Sequence, residues 1–452
     1  MTTLRILSAN WTERAVAMRL PFQFGSTEVW HAPEAHLRVL VEQDGVACAG
    51  RSAQLMVPRW FDKRPDLTNE DTIEELRGTV RTACAQAIGR TGPLPALMRD
   101  LRTDVANDLA GVPALATGFG CALLEMAIID ALCAAADLPF WQAARDDLFG
   151  LAAHVPDGLA PDDITRALRR IGPPTRIALR HTIGFGAPLR AKDVPPEMRP
   201  DALPVSLDEV IASFGMAAFK IKLKGDPQAD LSRLRDIAAV ISPLGKVSAT
   251  LDANEQYNPG DFADFAAAFD DDPQLADLRA ATRFVEQPFA REIALDTPAG
   301  GPLPLVIDES DDGEDAFARA LVQGWSGTSI KSCKGVLRAL LNKARAEVAG
   351  AILSGEDLTC QPGLCWQQDT AMMAACGVPD VERNGHHFAG GLQGAEAAEK
   401  RHFLTAHGDI YGGDATRPTL RITQGGIAIA SLNVAGFGCA TAELPDPAAQ
   451  DT

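Results

Sequence analysis

Charged residues that directly follow short apolar runs recur along this chain at a nearly regular step, and that step constrains the fold more than any other feature. The runs are FKIKLK (219–224), LDANEQ (251–256), FVEQP (284–288), VIDES (306–310) and SIKSCK (329–334). From Lys222 the intervals to Asp252, Glu286, Asp308 and Lys331 are 30, 34, 22 and 23 residues. One strand, one helix and two loops occupy about that length, so the period predicts an α/β chain built on a parallel, TIM-like β/α barrel. In such a barrel the strand ends open on one face, and residues distant in sequence meet in one pocket.

In FKIKLK, Lys220, Lys222 and Lys224 alternate with Phe219, Ile221 and Leu223. On an exposed antiparallel strand this would be ordinary alternation. Helices cover the outside of a barrel, so here the apolar set must point outward and the lysines inward, where they need carboxylate partners. A single acid after a strand is usually a turn or helix-capping residue. Asp252, Glu286 and Asp308 on successive strands would instead share one small volume and repel one another. A hard divalent cation is the natural compensation, Mg²⁺ or its substitute Mn²⁺, since zinc prefers His and Cys. Asn254 is placed to orient a ligand or substrate, and Glu309 to act beside it.

Lys331 ends the strand after Asp308, so Lys222 and Lys331 should flank the cation. A substrate carboxylate bound there presents its α-carbon between two amines, which suits removal of an α-proton to a metal-stabilised enediolate. A free Lys has a pKa near ~10.4, and the cation together with Lys220 is expected to lower it. A Schiff-base lyase using Lys222 or Lys331 is the alternative chemistry, although it leaves the carboxylates unexplained. A catalytically silent scaffold is the other alternative.

The 452 residues suffice for a barrel of roughly 250 residues plus a second domain. With 60 acidic against 42 basic residues the formal charge is −18, which argues against nucleic acid or an anionic membrane as partner. A small-molecule carboxylate must then be caught by a local positive site. The opening MTTLRILSANWTERAVAM lacks a signal-length apolar stretch, and a soluble, cytoplasmic protein is expected. The nine cysteines are scattered without Cys-x-x-Cys pairs or zinc-finger histidines, so they are expected to be reduced thiols, mostly buried. No organic cofactor is called for, and a homo-oligomer is left open.

Residues 1–160 read as an α+β capping domain: β-rich runs around a Gln-Asp-Gly turn, then helical segments including CALLEMAIIDALCAAADLPFW (121–141), which Leu138-Pro139 should end. Proline- and glycine-rich stretches at 155–163 and 171–175 mark a boundary. The barrel is assigned to 175–405, beginning with RIALRHTIG (176–184) and ending with GAILSGEDLT (350–359) and DVERNGHHFAG (380–390). The five-proline stretch 186–206 is long for a loop, and at the catalytic face it would be a lid or specificity insert. Residues 406–452 are expected to return to the capping domain.

Together the Lys-x-Lys, Asp-Ala-Asn, Glu-Gln-Pro, Asp-Glu-Ser and Ile-Lys motifs, in that order, resemble the enolase superfamily in its muconate lactonizing enzyme branch. LPFQFGS (20–26) and the helix ending ALLEMAIIDALCAAADLPFW resemble its capping domain. The resemblance implies that Asp252, Glu286 and Asp308 bind Mg²⁺. It makes Lys222 and Lys331 opposed acid/base groups and Lys220 a charge-stabilising neighbour. It further implies a racemase, epimerase, cycloisomerase or dehydratase. Lys224 and Lys334 have no counterpart and are read as structural or solvated. The mandelate racemase arrangement of a His-Asp pair is absent, because SGED (354–357) holds no His. ERNGHHF (382–388) departs from the Asp-x-Asp of dipeptide epimerases. Substrate contacts are sought in Phe22 to Thr27 and Gln54 to Arg64, with Trp60 as an aromatic wall, and in His386 and His387. Glu356 and Asp357 are further groups that could reach the pocket.

Overall fold

The computed structural model describes residues 3–25 and 27–444. Ser26, within the expected capping loop, and 445–452, within the expected C-terminal return, lie outside the described residues.

A four-stranded antiparallel sheet opens the chain, ordered Val46–Leu55, Thr27–Gln43, Leu4–Phe24, Thr91–Gly92. The first two strands in sequence are longer than their apolar runs suggest, because they stay paired from Leu4↔Gln43 to Phe24↔Thr27 with two register shifts. The Gln-Asp-Gly turn forms as read: Asp44 and Gly45 both take positive φ, 53° and 79°, which matches the twist of a tight hairpin. Helices Asn69–Ala87, Leu94–Asp108 and Ala114–Ala135 follow. The last is apolar around its whole circumference, as a helix buried on all sides must be. By length and composition alone it could cross a bilayer, but 83% of its most apolar window is buried inside the protein. It approaches Asn69–Ala87 so closely that a Cβ on Gly120 would lie 2.3 Å from the Thr79 carbonyl oxygen. Leu138-Pro139 breaks the run, and a short helix, Phe140–Arg145, completes the segment.

Eight parallel strands then close a barrel: Arg176–Ile183, Ala218–Lys222, Ser248–Asp252, Thr282–Glu286, Leu305–Ile307, Gly327–Ile330, Ile352–Glu356 and Val381–Glu382. Closure is made by Val381 and Glu382 pairing with Leu179 and Arg180 of the first strand. Phe219, Ile221 and Leu223 are buried against the outer helices, and Lys220 and Lys222 face the interior, as the alternation required.

The C-terminal segment divides between the two bodies. Gly426–Ala428 pairs antiparallel with Arg176–Ala178, covering the part of the first strand's edge that the two-residue eighth strand is too short to reach. Farther on, the Phe437 N–H and the Thr441 hydroxyl donate to Asp130 on the long capping helix, at 2.8 and 2.5 Å. Other ties fasten cap to barrel. Glu125 accepts from the Leu337 N–H at 2.9 Å, and Arg291 donates to the carbonyls of Phe61 and Trp60. The 186–206 stretch is pinned to the first capping strand, since Arg19 pairs with Asp201 at 2.7 Å and donates to the carbonyls of Leu203 and Pro204.

Candidate active site

Each barrel strand from the second to the eighth delivers a polar side chain to the same end. Lys220 and Lys222 come from the second, Asp252 from the third and Glu286 from the fourth. Asp308 follows the fifth, Lys331 the sixth, and Glu356 and Glu382 end the seventh and eighth. All eight are buried. Lys220 Nζ lies 3.0 Å from Asp252, 2.9 Å from Glu286, 2.7 Å from Glu356 and 2.8 Å from Glu382. Lys222 Nζ lies 2.5 Å from Asp252 Oδ2 and 2.9 Å from Asn254 Oδ1. Across the pocket, Lys331 Nζ donates to Asp308 Oδ1 at 2.5 Å and Glu356 Oε2 at 2.7 Å, and stands 5.2 Å over the Trp60 ring.

Five carboxylates in one dry volume compete over charge. Burial pushes Glu286 well above the usual carboxylate range, and neighbouring Asp252 and Glu356 push it the same way. Burial also opposes ionisation of Asp252, Asp308 and Glu356, but adjacent lysines outweigh it and hold all three below their ordinary values. The lysines respond in kind. Burial favours neutral Lys220 and Lys331, yet the surrounding carboxylates raise both well above the ordinary lysine value. Each of these two ammonium groups is itself the counter-ion that its carboxylates face.

The donor set fits a hard cation. Glu286, Asp308 and Glu356 each bring a carboxylate oxygen within 4.8 Å of the others, and both oxygens of buried Glu286 face the Lys220 ammonium, at 3.0 and 2.9 Å. Oxygen-only ligands of this kind suit Mg²⁺. Asp252 stands at the edge of this group, joined to it through Lys220. Backbone geometry fixes the ligand loops: Gln287 Oε1 accepts from the N–H groups of Asp308 and Ser310 at 2.8 and 3.1 Å.

Asn254 and Glu309 are brought together as one unit, with Asn254 Nδ2 donating to Glu309 Oε1 at 3.3 Å. Phe22, Phe24, Val57, Trp60 and Leu358 enclose a small cavity of about 20 Å³ among Lys220, Lys222, Asp252, Asn254, Asp308, Lys331 and Glu382. His386 does not reach it: its ring packs on His181 and Phe214, at 5.8 and 5.3 Å between centroids. His387 lines a neighbouring cavity of about 150 Å³ with Leu20, Gln23, Thr182, Met198 and Phe388. Asp357 borders the site, but its carboxylate is spent on Arg383 at 2.7 Å. Lys224 is exposed, over Phe185. Lys334, by contrast, is no solvated residue. The turn Ser332–Lys334 curls it inward, so that Nζ donates to Asp308 Oδ1 at 2.9 Å and to the Asp308 carbonyl at 2.6 Å.

Two site groups, Glu382 and Arg180, carry no mark in the sequence. Glu382 does end a strand, but that strand is two residues long and carries no apolar run to flag it. Lys63, within the capping stretch Gln54 to Arg64, reaches the site as well, with Nζ 3.0 Å from Glu309 Oε1 and bonded to Glu255. Arg180, on the first strand, donates to Glu356 Oε1 at 3.1 Å from within the barrel.

No family model matches the sequence, and no curated protein does. Solved structures match over nearly the whole chain. A dipeptide epimerase from Enterococcus faecalis V583, complexed with Mg and the dipeptide L-Leu-L-Tyr, is 16% identical with a TM-score of 0.61, covering 96% of this chain and 99% of its own. A muconate lactonizing enzyme from Pseudomonas fluorescens, complexed with muconolactone, gives 16% and 0.61 over 96% of each chain. An enolase from Bradyrhizobium, complexed with magnesium and mandelic acid, gives 18% and 0.60 over 98% and 99%. The chain shares the fold of these structures, a capped β/α barrel.

Proposed function

We propose that this protein removes the α-proton of a small carboxylate substrate and returns it, as a racemase or epimerase, with elimination or cycloisomerisation as the other outcomes of the same first step. One observation carries the reading. Lys222 and Lys331 enter a single enclosed cavity from the second and sixth strands, each 2.5 Å from its own aspartate, Asp252 and Asp308. Two amines on opposite walls can take a proton from one face of an α-carbon and deliver one to the other.

Glu286, Asp308 and Glu356, with Asp252 beside them, would hold Mg²⁺, which supplies a positive centre for the substrate carboxylate and for charge developing at its oxygens. Lys220, bonded to three glutamates, keeps that carboxylate cluster from repelling itself apart. Asp252 and Asn254 fix the direction of the Lys222 amine, and Asp308 and Glu356 that of Lys331. Trp60, Phe22 and Phe24 exclude water, which strengthens every charge interaction inside. The Mg-bound and acid-bound neighbours of this fold support a carboxylate ligand. A dipeptide is disfavoured, because the residues after the eighth strand, Arg383 and Asn384, are tied to Asp357 and to Thr182.

The test is proton exchange. Incubated with Mg²⁺ in D₂O, the protein should incorporate deuterium at the α-carbon of at least one acid in a broad carboxylate library, followed by proton NMR. A library that shows no exchange at any α-position overturns the reading.

A further inference from the structure

A second cluster of ligating groups lies in the C-terminal segment. His402 sits in the helix Ala397–Ala406, His407 caps its end, and Cys439 lies on the strap that runs to Asp130. One nitrogen of each histidine and the Cys439 sulfur lie within 4.8 Å of one another. Cys439 Sγ is 3.9 Å from His402 Nε2. His407 Nδ1 is already engaged, 2.9 Å from Ser431 Oγ, while His402 Nδ1 stands 3.6 Å from Glu443 Oε2. His407 is 1% exposed, and its Nε2 is buried with no hydrogen-bond partner.

We propose that His402, His407 and Cys439 form a binding site for one Zn²⁺, with a fourth position left to solvent. The donor chemistry selects the ion. Two imidazole nitrogens and a thiolate suit Zn²⁺, whereas Mg²⁺ wants oxygen. Around tetrahedral zinc, nitrogen and sulfur ligands stand roughly 3.5 Å apart, so the His402 to Cys439 spacing is within a small side-chain shift of the bound one. Imidazoles that ligate a metal characteristically hold an oxygen with the other nitrogen, which fixes the ring's direction. His407 shows that arrangement with Ser431. Packing alone would leave His407 Nε2 unmet in the interior. On binding, the Cys439 thiol loses its proton to solvent and the sulfur takes the metal in its place. The ion would join the helix Ala397–Ala406 to the strap that Asp130 holds against the cap.

Cobalt tests this without any assay of activity. The full-length protein, stripped with chelator, should develop a thiolate-to-cobalt charge-transfer absorption that saturates at one equivalent of Co²⁺ and is displaced by Zn²⁺. Asp308→Asn should keep it and Cys439→Ser should lose it. His402→Ala removes a partly exposed side chain from a helix that circular dichroism can check, and it should weaken Co²⁺ binding at least tenfold. A wild-type protein with no such band, a band that survives Cys439→Ser, or unchanged affinity in His402→Ala overturns the proposal.

Discussion

Lys220 and Lys331, from strands on opposite sides of the barrel, both reach the same oxygen, Glu356 Oε2, at 2.7 Å each. Glu356 is therefore the link between the amine that neutralises the carboxylate cluster and the amine placed to move a proton. Arg180 holds its other oxygen at 3.1 Å.

Substituting Glu356→Gln keeps the shape and removes the charge that three cations share. Losing one partner of a buried ion pair costs about 3–5 kcal/mol, so the variant's urea midpoint should fall steeply, and Mg²⁺ binding by calorimetry should weaken with it. A variant as stable as the parent would mean that Glu356 is already neutral.

Five strand ends were legible in the sequence because each places its charged residue directly after an apolar run at the barrel's own period. Lys222, Asp252, Glu286, Asp308 and Lys331 all enter the same site. What was not legible has physical reasons. Glu382 ends a strand too short to show a run, and within the candidate stretch Gln54 to Arg64 nothing local marks Lys63 as the cation that reaches Glu309. Lys334 is spaced for solvent, and only the turn of Ser332–Lys334 brings it in. Glu356 was visible as a candidate, but its place between two lysines depends on strand neighbours that no spacing encodes.

Acid should destabilise the seam between the cap and the eighth strand. Burial lowers His181 to about 4, and His386 and His387, packed beside it, are lowered too. A histidine depressed on folding binds fewer protons in the native than in the unfolded state, so its contribution is lost as pH falls from about 6.5 towards the folded value. For His181 alone that is about 2 kcal/mol between pH 7 and pH 5. Asp130, raised to about 6 by burial, and Asp357, raised to about 7, pull the opposite way. The measurement is therefore a difference: urea midpoints at pH 7 and pH 5, where the His181→Gln variant should lose less on acidification than the parent. Equal losses would contradict the burial of a neutral imidazole.

Asp130→Ala should loosen the C-terminal strap. The carboxylate accepts from the backbone N–H of Arg51 and of Phe437, each at 2.8 Å, and from the Thr441 hydroxyl. Removing the acceptor for those buried donors costs on the order of 3 kcal/mol. Limited proteolysis should then cut between 430 and 444 faster than in the parent, with barrel fragments intact. Cleavage at parental rates would show that the strap is held by its apolar contacts.

The opposed lysines are the centre of the account, and the stereochemistry of exchange tests them most directly. With the exchanging acid in hand, each enantiomer is incubated separately in D₂O with Mg²⁺. Lys331→Ala should abolish α-deuteration of one enantiomer and Lys222→Ala that of the other, each by about 10²–10⁴-fold, and the double variant should exchange neither. Exchange of both enantiomers that persists in the double variant would contradict the assignment of these two residues as the acid and base.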